Sequence, residues 1–160
     1  MNLHRIVATA ITAVAFSTAF SSAASAQCLD VTFTPYGKGC VFLFAAPELS
    51  GTADASTCTL DLTATVPPTC CNTFPVGRLL LIGLSPEDLP FPEVGPTCTL
   101  LVDPLLLVSI PAAPDTLSFH VPPSVPSGTT VFVQHAVDYF TTIGLTHDFA
   151  LSNGLRVDFD

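Results

Sequence analysis

Six cysteines, Cys28, Cys40, Cys58, Cys70, Cys71 and Cys98, and the three histidines beyond the N-terminal segment, His120, His135 and His147, are the first side chains to weigh for metal ligation, redox bonding or proton transfer. Spacing separates these uses. Structural zinc takes short-spaced ligand pairs such as Cys-x-x-Cys, whereas eleven residues lie between Cys28 and Cys40 and again between Cys58 and Cys70. An even number of cysteines in a small exported chain reads instead as a disulfide framework of three bridges, for which six cysteines admit fifteen full pairings. Cys70 and Cys71 are neighbours, and a bridge between them would close a strained ring, so each is expected to have a distant partner.

The histidines offer acid-base or metal chemistry, and His135 and His147 have Asp138 and Asp148 close by in sequence. A small exported hydrolase or metal-dependent enzyme using His135 and His147 is therefore one reading. Against it, no His-x-His or His-Glu-x-x-His spacing places two ligands on one face, and no Gly-x-Ser-x-Gly elbow is present. The expectation is surface histidines. A blue-copper site would lack its axial methionine, since the sole methionine is Met1, and no histidine closely follows Cys98. Calcium has no Asp-rich loop of suitable spacing, and a glycan platform would have only Tyr36 and Tyr139, with no Trp. A calcium- or glycan-binding module is carried as a further alternative. No catalytic residue, metal ligand or cofactor is assigned.

The oxidising compartment follows from the N-terminus. Arg5 precedes an uncharged run from Ile6 to Phe20, and small residues continue to Ala26, the layout of a secretory signal peptide. Cleavage is expected between Ala26 and Gln27, so 1–26 is the export signal and 27–160 one domain without a membrane span. The run is shorter than the roughly 20 apolar residues a bilayer core requires. A lipoprotein signal at Cys28 is disfavoured by Ser25 and Gln27 at the positions where an aliphatic and a small residue are usual. Secretion to the periplasm or the medium is the expected localisation.

The processed chain would keep three basic side chains, Lys38, Arg78 and Arg156, against thirteen acidic ones, a net charge of −10. Such a surface repels polyanions, which excludes nucleic acid and anionic lipid as partners. Other envelope or extracellular proteins are the expected partners, and oligomeric state is not legible. Fifteen prolines interrupt any helical pattern at short intervals.

The elements that must carry these residues are strands. Thr57–Val66 alternates, with Cys58, Leu60, Leu62, Ala64 and Val66 on one side and threonines with Asp61 on the other, the mark of a half-buried strand. Leu29–Thr34 and Thr116–Val121 alternate similarly. Arg78–Leu84, Leu100–Val102 and Leu105–Ile110 are nearly continuous apolar runs, expected to be covered on both faces. Thr129–Tyr139 has one face of Val131, Val133, His135 and Val137, and a mixed face of Phe132, Gln134, Ala136 and Asp138 that predicts partial exposure. Asn153-Gly154, between Phe149–Ser152 and Leu155–Phe159, is suited to a two-residue type I′ turn and predicts a C-terminal hairpin. Eight or so short strands indicate an all-β fold, a two-layer antiparallel β-sandwich of immunoglobulin-like or Greek-key type, stapled by disulfides.

Several short motifs occur in order: Tyr36-Gly37-Lys38-Gly39-Cys40, then Leu79–Leu84, Cys98-Thr99-Leu100-Leu101-Val102, Val133-Gln134 with Val137-Asp138, and Ser152-Asn153-Gly154-Leu155. The series resembles an uncharacterised C-terminal β-rich module of predicted exported proteins of environmental bacteria, which often opens Tyr-Gly-x-Gly-Cys and closes with Ser-Asn-x-Leu. The resemblance spans nearly all of 27–160. It implies a noncatalytic appendage with no assigned ligand, and makes Cys40 and Cys98 a candidate pair. Cys28, Cys58, Cys70 and Cys71 are additions to that pattern, and Val41-Phe42-Leu43 replaces its usual Gly and Ser residues. A secreted or cell-envelope noncatalytic module with a structural, adhesive or sorting role is the leading expectation.

Overall fold

The computed structural model describes residues 28–40, 45–69, 72–92, 98–110 and 115–160. The expected export signal with Ala26 and Gln27, and the adjacent Cys70 and Cys71, lie outside these residues. The described residues contain strands and no helix: β1 (Val31–Tyr36), β2 (Glu48–Asp54), β3 (Thr59–Thr65), β4 (Thr73–Gly83), β5 (Pro86–Pro90), β6 (Thr99–Val102), β7 (Leu106–Ser109), β8 (Thr116–His120), β9 (Thr129–Thr141) and β10 (Thr146–Phe159). They form a five-stranded sheet in the order β1-β10-β9-β4-β7, a three-stranded sheet β2-β3-β8 and a β5-β6 ribbon. All pairings are antiparallel.

Alternation fixes which faces meet. Leu60, Leu62 and Ala64 of β3 point toward Leu80 of β4, Val133 of β9 and Leu155, Val157 and Phe159 of β10, making the core between the two sheets. The alternating side chains of the large sheet point the other way, and part of that second face is covered by the ribbon. There Leu81, Ala136 and Leu151 pack with Cys40 and Cys98. The result is an all-β antiparallel sandwich with a partial third layer, stapled by Cys28–Cys58 and Cys40–Cys98.

Three sequence expectations change. First, β10 runs through Asn153-Gly154 as one strand, and the reversal from β9 falls at 142–145, where Gly144 and Leu145 have φ of 98° and 54°. Between Leu151 and Gly154 the register slips, putting one extra residue into β10 as a bulge. The Asn153 side chain does not serve a turn of its own: its Oδ1 accepts from Leu49 N–H at 2.9 Å and its Nδ2 donates to Leu49 C=O at 3.1 Å, clipping β2 to β10. Gly154 is needed for space rather than for a left-handed φ, because a Cβ there would lie 2.3 Å from the Tyr36 ring.

Second, the mixed face of β9 is buried where β6 crosses it, so Gln134 is fully buried and Ala136 nearly so. Third, the apolar run over β7 is not covered on both faces. It is the edge of the large sheet, with Leu105, Leu106 and Leu107 68%, 54% and 58% exposed. Strands β2 and β5 gave no apolar pattern; Leu49 is the buried anchor of β2, and β5 is held by pairing Leu89 and Pro90 with Leu100 and Thr99.

Candidate functional site

The motif residues meet in space. Tyr36, at the end of β1, lies edge-on to Phe132, packs over Gly154 and donates its hydroxyl proton to Leu101 C=O at 2.6 Å. Burial pushes its phenol up to about 12, so it remains a donor across ordinary pH. The chain then passes so close to β10 that a Cβ on Gly39 would sit 2.6 Å from Leu151 C=O, which excludes a side chain. Cys40 N–H donates to that same Leu151 carbonyl at 2.8 Å, and the cysteine is bonded to Cys98 at the entrance to β6.

Gln134 completes the junction. Its Oε1 accepts from Leu101 N–H at 3.0 Å, while its Nε2 donates to Thr99 C=O at 3.2 Å and to Ser152 C=O at 2.9 Å. One amide thus substitutes for a neighbouring strand, joining β6 to the bulge of β10 across the face of β9. A buried amide is stable only when its polar atoms are paired, and both N–H donors and the oxygen of Gln134 are paired with main-chain groups. The sequence resemblance had grouped these residues, but nothing in their types indicated that Gln134 would be the connector.

The expected pair of histidines is split between faces. His135 lies on the core face, fully buried, against expectation of a surface position; its Nε2 accepts from Arg78 Nε–H at 3.4 Å, and its main-chain N–H donates to Ser152 Oγ at 2.9 Å. Nδ1 has no partner among the described residues. Arg78 is also buried and donates to Asp115 Oδ1 at 2.8 Å and Ala64 C=O at 2.7 Å. Burial, with repulsion from Arg78, lowers His135 to about 4 and keeps its ring neutral at pH 7.

Because the folded value lies below the ordinary 6.5, the unfolded chain takes up this proton first as pH falls. Stability from His135 is complete above pH 6.5 and declines down to about pH 4, by about 3 kcal/mol over that window. Urea unfolding at pH 7 and pH 4 should show this loss in the parent chain and not in His135→Gln, beyond the acid loss both share. Equal losses in the two chains would contradict it.

His147 instead stands on the second face beside Asp138, with Nδ1 2.9 Å from Oδ1 and its ring 5.2 Å from that of Phe140. It is exposed, as expected, and lies on the opposite face of the sheet from the His135 ring. His120 ends β8 and is exposed. Among the described residues no three His, Cys, Asp or Glu side chains converge as metal ligands.

Two of the concave surfaces among the described residues are lined mainly by apolar side chains. A cleft of about 190 Å³ between the sheets is lined by Leu60, Ile82, Phe119, Val131, Val157 and their apolar neighbours, with His120 at its rim. Its lining is apolar apart from His120. On the second face, where the ribbon ends, a groove of about 330 Å³ runs past Leu79, Ser109, Ala136, Asp138 and Phe149 toward β7. Leu79 and Phe149 are 38% and 41% exposed, so the groove and the leucines of β7 form neighbouring apolar surface. Among protein-family models, curated proteins and solved structures, no match to this chain is found.

Proposed function

We propose that this chain is an exported, noncatalytic β-sandwich module with a structural, adhesive or sorting role, acting through contact with other proteins of the envelope or the extracellular space. The observation that carries this reading is the exposed apolar edge at β7, set beside side chains of chemical potential that are either engaged in the fold or dispersed. Exposed leucines in a row favour a protein partner over a polar small molecule. The resemblance to an exported appendage module agrees with it, and the two disulfides suit an oxidising compartment.

The test is fractionation of the tagged chain, followed by N-terminal sequencing. The expected product starts at Gln27 and is recovered outside the cytoplasm, and Leu105→Lys with Leu107→Lys lowers its co-purification with envelope material several-fold. Recovery in the cytoplasm with Met1 retained, or undiminished attachment of the double variant, would count against the proposal.

A further inference from the structure

We propose that β7 is a self-pairing edge, through which two copies of the chain join antiparallel about a two-fold axis into one ten-stranded sheet. The inference rests on the protein-contact reading above and names the partner. Its basis is the direction of the main-chain groups. β7 pairs with β4 so that Leu106 faces Ile82, Val108 faces Leu80, and Ile110 N–H donates to Arg78 C=O at 2.9 Å. In an antiparallel ladder residues direct both main-chain groups to one neighbour or the other in alternation. Leu106, Val108 and Ile110 therefore face β4, while Leu107 and Ser109 direct N–H and C=O outward. No strand lies beyond β7 among the described residues.

Outward donors and acceptors two residues apart specify another strand as the occupant. A second copy fits them. With Val108 on the axis, Leu107 of each copy faces Ser109 of the other, and the two exchanges make four hydrogen bonds. Charge favours the same choice: residues 104–110 carry no formal charge, although the whole chain has a net charge of −9. Two acidic molecules can approach here without opposing like charges directly across the seam.

Three of the other edges carry a protection that β7 lacks. β1 contains Pro35, β2 begins with Glu48 and ends with Asp54, and β5 carries two prolines and two acids. Charge and proline are the usual devices that block edge pairing. From Leu105 to Ile110 neither occurs.

Sedimentation velocity on the oxidised chain beginning at Gln27, between about 1 µM and 1 mM, covers the range in which weak interfaces populate. The expected result is a monomer-dimer equilibrium that stops at the dimer and tightens with added salt. Leu107→Pro removes an outward N–H while leaving the bonds of Leu106 and Val108 to β4, and should weaken association at least tenfold. Leu107→Lys serves as a second variant if the proline disturbs the strand, with circular dichroism and thermal unfolding verifying the fold of each. A monomer throughout the range, or a folded variant that dimerises like the parent, would overturn self-pairing. If self-pairing fails but the double lysine variant still lowers envelope attachment, the protein-contact reading stands with a different partner; if attachment too is unchanged, both fall.

Discussion

Replacing Cys40 and Cys98 together by alanine should lower the free energy of unfolding by about 4 kcal/mol, the loop-closure value for a separation of 58 residues. Cys28 and Cys58, separated by 30, should cost somewhat less when removed together. The two losses differ in where they act. The Cys40–Cys98 bridge enters the cluster containing Leu81, Ala136 and Leu151, so its removal releases the ribbon from the second face as well as relaxing the unfolded chain. Denaturant unfolding of both double variants, with hydrogen exchange to locate the loss, checks this. A cost below about 1 kcal/mol for Cys40 and Cys98 would mean that the ribbon is held without the bridge.

Gln134→Leu is the second large effect. Leucine has a similar reach but leaves Leu101 N–H, Thr99 C=O and Ser152 C=O without the amide they now share. A buried group stripped of its partner costs about 1–3 kcal/mol, and Thr99 C=O lies in a less enclosed position, so a total of about 3–5 kcal/mol is expected. Gln134→Glu should not rescue the junction, since a carboxylate lacks the two donors directed at carbonyls. Chemical denaturation of the two variants supplies the measurement. Near-parental stability of either would contradict the role of the amide.

Much of the fold is readable from residue order where burial on one face imposes a period of two. Thr57–Val66 shows this: its alternating leucines and alanine become the inner face of β3, and its threonines become the other. The runs over β4 and β7 were readable as strands but not by coverage, because an apolar stretch has the same composition at a sheet centre and at an unprotected edge. Only the strand order places Leu105–Leu107 at a margin. The two packed sheets were legible, whereas the ribbon over the second face was not, since it depends on β6 crossing Gln134.

Asn153-Gly154 shows a local signal overridden by tertiary structure. The pair is favourable for a tight turn, yet Leu49 binds the Asn153 side chain and Tyr36 occupies the space over Gly154, so the same residues serve a bulge. His135 was legible as a member of the valine face of β9, yet a surface position was expected for it, and it is buried. Its contact with Arg78, 57 residues away in sequence, was not legible. For the candidate interaction site, residue types revealed apolarity and the absence of charge, while the outward direction of Leu107 and Ser109 required the register of β7 on β4.

The central claim is a division of labour: the motif residues lock the ribbon to the sandwich, and β7 is left to pair with another molecule. Residue-resolved amide hydrogen exchange on the oxidised chain, at low and at high protein concentration, tests both halves together. Leu101 N–H should be protected at every concentration by Gln134, whereas Leu107 and Ser109 N–H should exchange freely in dilute protein and gain protection as concentration rises. Rapid exchange at Leu101, or concentration-independent protection at Leu107 and Ser109, would contradict the account.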